Sequence, residues 1–141
     1  MTFPLAGLLR VRGAQERVAA EHLSRATAGV AHAETAEQAA LTGLASISTE
    51  VADGPTLLAM AAARASARSS LGDLQMLTQM RRSEEQEAKT SHIEARRELK
   101  GLERLESSHI AVTSQAELHA EQGVLDEIAV VRAARNEGSA A

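Results

Sequence analysis

The chain has 141 residues, of which 44% are hydrophobic, but it holds one Phe, no Trp and no Tyr, and 29 of its residues are Ala. An apolar fraction made largely of Ala brings little area to bury, so a thick globular core is excluded and the strong helix formers that dominate the composition point to an all-α fold. A net charge of −4 with acids and bases interspersed, few aromatic platforms and no cysteine argue against nucleic-acid binding, disulfides and thiolate metal sites.

The first predicted element is a helix over residues 4–52. Every seventh residue from Leu9 gives Leu9, Glu16, Leu23, Val30, Glu37, Leu44 and Val51, and the companion series gives Leu5, Arg12, Ala19, Ala26, Ala33, Ala40 and Ile47. Eleven of these fourteen positions are apolar. A repeat sustained over six heptads marks a coiled-coil seam rather than an ordinary amphipathic helix. The Ala series allows a partner helix to approach closely, while the inserted Arg12, Glu16 and Glu37 are expected to weaken the packing. At the usual rise of ~1.5 Å per residue the helix would measure about 70 Å.

Asp53-Gly54-Pro55-Thr56 combines a turn-forming acid, a flexible glycine and a proline, and is read as the turn that ends this helix. The Ala-rich stretch 57–70 either begins the second helix or forms a short helix of its own, because Ser69, Ser70, Gly72 and Asp73 offer a second break. From Leu74 to about Arg135 no proline intervenes, and Leu74, Leu77, Ala88, Ala95, Leu99, Leu102, His109 and Ala116 keep approximate heptad spacing. Residues 136–141 are expected to fray. Two long helices joined by one tight turn pair antiparallel, so the expected architecture is a single domain, 1–141, formed by a two-helix coiled-coil hairpin. Gly7, Gly13, Gly29, Gly43, Gly101 and Gly123 would each cost about 1 kcal/mol relative to Ala inside a helix, which predicts a hairpin of marginal stability that gains order from partners.

In the terminal stretch GVLDEIAVVRAAR, residues 123–135, helical spacing places Val124, Leu125, Ile128 and Val131 on one face and Asp126, Glu127 and Val130 on the other. The apolar face is expected to hold the two helices together near the termini. No motif for catalysis accompanies it. His22, His32, His92, His109 and His119 include no pair at i, i+3 or i, i+4, and His109 is read as a polar seam residue. The chain lacks a glycine-rich phosphate loop, a GxSxG elbow and an HExxH helix, so neither an enzyme nor a cofactor is expected. The mixed-charge runs at 81–89 and 94–104 read as solvated faces, with Glu85–Lys89 and Glu94–Arg97 as intrahelical pairs. The apolar run at the N-terminus ends at Arg10 and Arg12, and no span reaches the roughly 20 apolar residues of a membrane helix, so a soluble protein is expected.

The two ends together resemble the FliJ family of flagellar export proteins. At the start, TFPLAGLLRVRGAQERVAA is similar to the family's opening run through Phe3, Leu5, Leu8, Leu9, Arg12 and Glu16. Towards the other end, KGLERLESSH is similar to the family's K-x-L-E-x-L segment through Lys100, Leu102, Glu103 and Leu105. LDEIAVVRAAR is similar to its D-E-x-A-x-x-R stretch through Asp126, Glu127, Ala129 and Arg132. The middle departs from the family pattern: GPTLLAMAAARASARSS lacks the aromatics that many members carry there.

The resemblance implies a non-enzymatic component of the flagellar type III export apparatus, cytoplasmic and peripherally associated with the membrane at the flagellar base. It would be a hairpin similar to the central-stalk coiled coil of rotary ATPases, docking in the ring of the export ATPase (FliI), contacting the export gate (FlhA) and engaging export chaperones, with no nucleic acid and no small-molecule substrate. The residues it would use are Phe3, Leu5, Arg12, Asp126, Glu127, Val130 and Arg132. A generic coiled-coil adaptor or secretion chaperone without an ATPase partner is the alternative, and a compact ligand-binding helical bundle a further one.

Overall fold

A computed structural model describes residues 2–139 and shows an all-α helical hairpin of two helices, α1 (Ala6–Ala45, 40 residues) and α2 (Gly54–Ser139, 86 residues). Pro4 lies in the turn that opens α1, where its missing N–H removes no helical hydrogen bond, and the Ala6 amide donates to the Phe3 carbonyl at 3.1 Å.

Helix α1 stops earlier than the heptads suggested, at Ala45 rather than near 52. The residues that follow, Ser46-Ile47-Ser48-Thr49, are β-branched or hydroxyl-bearing and favour other conformations. The Ser46 hydroxyl donates to the Gly43 carbonyl at 2.7 Å, satisfying one of the terminal acceptors that the helix leaves open. Asp53-Gly54-Pro55-Thr56 is accordingly the start of α2 and not the end of α1. Asp53 caps α2: its Oδ1 accepts the Thr56 amide at 2.8 Å, and its carbonyl accepts the Leu57 amide at 3.1 Å. The hydrogen bonds from the Thr56 side chain and amide hold the Asp53 carboxyl below its ordinary value.

Once capped, α2 runs without interruption through 57–70 and through Ser69–Asp73, so no separate short helix forms. Gly72 carries the helix because no neighbouring residue demands a bend and Leu71 and Leu74 on either side face inward. The helix also continues past Arg135 to Ser139; the rest of the expected frayed tail, residues 140–141, lies outside the described residues.

The chain divides into two compact units, residues 14–96 and residues 1–13 with 97–141. In the first, antiparallel pairing is read from cross-helix hydrogen bonds: Glu16 with His92, Thr27 with Glu85, Glu34 with Arg82, Glu37 with Thr78, and the Ser48 carbonyl with Arg64. Its buried side chains are Val30, Ala33, Thr78 and Ala88. In the second unit Arg12 pairs with Glu98, the Phe3 ring packs on His109, and Leu102 is buried.

The α1 seam read from heptads is the packed one. From Leu9 and Arg12 through to Leu44 and Ile47, the two series are buried or half-buried, and the exceptions are their outermost members, Leu5 and Val51. On α2, Leu74, Ala88, Ala95, Leu99, Leu102 and His109 face inward, whereas Leu77 and Ala116 are exposed. The second inward series of α2 is Arg64, Leu71, Thr78, Glu85, His92, Leu99, Glu106 and Thr113. Most of these are polar, and hydrophobic spacing does not detect them.

Candidate partner-docking surface

Within the unit formed by residues 1–13 and 97–141, the N-terminal residues singled out by sequence occupy a packed region. Phe3 is half-buried with its ring centroid 5.6 Å from that of His109 at an interplanar angle of 49°. The tilted arrangement is favourable for two rings and covers the histidine, whose Nε2 is enclosed without a hydrogen-bond partner. The Arg12 guanidinium is bound to Glu98, and the groove beside this pair is lined by Leu8, Gly101, Leu102 and Leu105. Leu5 is 40% exposed.

The second group lies elsewhere on α2. Asp126, Glu127, Val130 and Arg132 are exposed, as is every residue from 114 to 139. Val124, Leu125, Ile128 and Val131, expected to hold the two helices together, are between 51% and 64% exposed and pack against nothing. The reason is register: Phe3, immediately before α1, already lies against His109, so no part of α1 remains to cover α2 beyond Thr113. The structure therefore does not bring Phe3, Leu5 and Arg12 together with Asp126, Glu127, Val130 and Arg132. From His109 to Asp126 along α2 is ~25 Å at the ordinary helical rise.

Along the surface of α2 from 114 to 139, Glu117, Glu121, Asp126 and Glu127 precede Arg132 and Arg135, and Glu137 follows them. Leu118, Val124, Leu125, Ile128 and Val131 form an apolar stripe of which Val124 and Val131 lie on the side that faces α1 earlier in the helix, and the shallow hollow at Ala120, Glu121, Val124 and Leu125 is part of it. A helical stripe of this kind, rimmed by charge, suits docking of another helix far better than enclosing a small molecule.

Among the described residues no group of three or more His, Asp or Glu could hold a metal ion, and no helix is long and apolar enough to cross a membrane. The histidines are dispersed: His92 Nε2 lies 3.0 Å from Glu16 Oε1, and His22 borders a polar groove with Arg25, Arg81 and Glu84. Of the intrahelical pairs expected, Glu85–Lys89 forms at 3.4 Å and Glu94–Arg97 does not. The functional residues that spacing overlooked are structural partners, Thr78, Glu85 and His92, and the signal available for them was the polar residues inserted in the α1 seam.

Comparison of the chain with models of known protein families, with curated proteins and with solved structures yields no match.

Proposed function

We propose that this protein is a non-enzymatic coiled-coil component of the flagellar type III protein export apparatus, which docks in the ring of the export ATPase (FliI), contacts the export gate (FlhA) and thereby supports export of flagellar subunits. The observation that carries the reading is the exposed segment 114–139 of α2, a helix whose apolar stripe and clustered charges have no partner on α1 among the described residues. A surface of that size is characteristic of a helix that engages another protein. The reading also rests on the resemblance of both chain ends to the FliJ family. In this account Asp126, Glu127, Val130 and Arg132 meet the ATPase ring, while Phe3, Leu5 and Arg12 shape the hairpin that presents them. The protein would then sit at the cytoplasmic face of the membrane at the flagellar base, with export chaperones as further partners.

The test is a pull-down of the full chain against the purified flagellar export ATPase of the same organism, with hydrolysis followed in parallel. Binding accompanied by faster hydrolysis or ring assembly supports the proposal. Absence of binding by a helical, well-behaved protein overturns it and leaves the coiled-coil adaptor or secretion chaperone as the better reading.

A further inference from the structure

The apolar stripe of α2 begins where the seam between the two helices ends. Leu99, Leu102, Glu106, His109 and Thr113 face inward; beyond them Val124 and Val131 keep to the same side of the helix, while Ile128, Leu125 and Leu118 lie progressively further round from it, all exposed. Helices this long draw most of their stability from packing an amphipathic face, and a 26-residue stretch with Gly123 near its middle has none of its own. The order of charges along the stripe identifies what would cover it.

Leu118, Leu125 and Arg132 recur every seven residues, as do Glu121, Ile128 and Arg135, and the two series interleave as the a and d positions of a short coiled coil. In an antiparallel pairing of two copies centred between Asp126 and Glu127, Leu125 of one copy meets Ile128 of the other, twice. Glu121 then meets Arg132 twice, and Arg135 lies opposite Leu118 with Glu117 adjacent. Val124 falls across from Val131. The like-charged Asp126 and Glu127 fall on the outer face, away from the partner. A parallel pairing would instead set Glu121 beside Glu121 and Arg132 beside Arg132, which repels.

We infer that the exposed segment of α2 is the homodimerisation surface of the free protein, in which two copies associate through an antiparallel, two-fold symmetric coiled coil of residues 114–139. Such an interface is isologous, each copy contributing the same Glu117 and Glu121 to meet the other's Arg132 and Arg135. This inference does not depend on the export reading, because its test contains no ATPase.

Sedimentation equilibrium of the full chain over a wide concentration range gives the test, with circular dichroism to follow helicity. The wild type sediments as a dimer. Glu117→Arg with Glu121→Arg sets like charges together at both ends of the pairing and weakens the dimer on the order of a hundredfold, and Arg132→Glu with Arg135→Glu does the same. Combining all four substitutions restores the antiparallel dimer, whereas a parallel dimer would remain repelled in the combined variant. A wild type that stays monomeric throughout, a dimer indifferent to the charge reversals, or a combined variant that fails to recover while remaining helical would each overturn the inference.

Discussion

The Thr78 hydroxyl donates to the Glu37 carboxylate across the helical pair, and it does so from the most enclosed polar side chain of the hairpin, 2% exposed. Its proton is shared with the Leu74 carbonyl, each acceptor lying 3.0 Å away. Glu37 is one of three polar residues in the α1 seam, and all three have a polar partner on α2: Arg12 with Glu98, Glu16 with His92 and Glu37 with Thr78. A slip of α2 by one heptad would set Leu105, Leu99 and Glu85 opposite Arg12, Glu16 and Glu37 in one direction, and Ser91, Glu85 and Leu71 in the other. The seam's polar residues thus fix alignment in an Ala-rich interface where apolar side chains alone distinguish registers poorly.

Thr78→Val removes the donor and leaves Glu37 half-buried without it, so stability should fall by about 1 kcal/mol. The double variant Thr78→Val with Glu37→Leu should recover most of that loss, because no polar group is then stranded. Urea denaturation of the four proteins of this cycle measures the coupling. Equal losses that simply add would show that the hydrogen bond does not hold the seam.

Gly7, Gly43 and Gly101 have open space where a Cβ would stand, and the Cβ of an alanine at Gly29 would meet Arg81 Cδ at an ordinary 3.6 Å. Replacing each with Ala should therefore stabilise the helices by about 1 kcal/mol per site, with the gains adding for Gly29 and Gly43, which lie far apart along α1. Thermal melts of the single and combined variants check this. A falling Tm at Gly29 alone would mean that Arg81 cannot yield the space.

At the start of α2, the Asp53 carboxylate is favoured in its charged form by the hydrogen bonds from the Thr56 side chain and amide, so its folded pKa lies below the ordinary 3.8. The stabilisation is complete above pH 3.8 and is lost as pH falls through the lower folded value. Asp53→Asn should retain the cap and lose this acid-sensitive component, whereas Asp53→Ala should lower Tm at neutral pH as well. Circular dichroism melts of the three proteins across the acid range distinguish these outcomes.

The α1 seam was legible because heptad spacing and a nearly uninterrupted helix coincide there, and the structure buries Val30 and Ala33 where the two series place them. The end of α1 was less so: Ile47 continues the spacing and remains half-buried, yet Ser46 and Ser48 stop the helix through local hydrogen bonding that periodicity ignores. Thr78, Glu85 and His92 were missed for a related reason, since their inward position follows from partners on another helix. The fate of Val124, Leu125, Ile128 and Val131 was not written in their own spacing at all. It depends on where α1 begins relative to His109, a tertiary register that one helix cannot encode.

The exposed acids offer a separation of folding from docking. Asp126→Ala with Glu127→Ala should weaken binding to the export ATPase and leave helicity unchanged, because both side chains are exposed and neither makes a hydrogen bond or ion pair in the hairpin. Helical signal measured beside the pull-down decides between the two roles. Loss of helicity would assign the acids to folding.

The most direct measurement is hydrogen exchange along the full chain, with and without the purified export ATPase. Docking through the exposed part of α2 predicts that the ATPase slows exchange across residues 114–139 and leaves 54–96 unchanged. Protection confined to 54–96, or none anywhere at saturating ATPase, would contradict it.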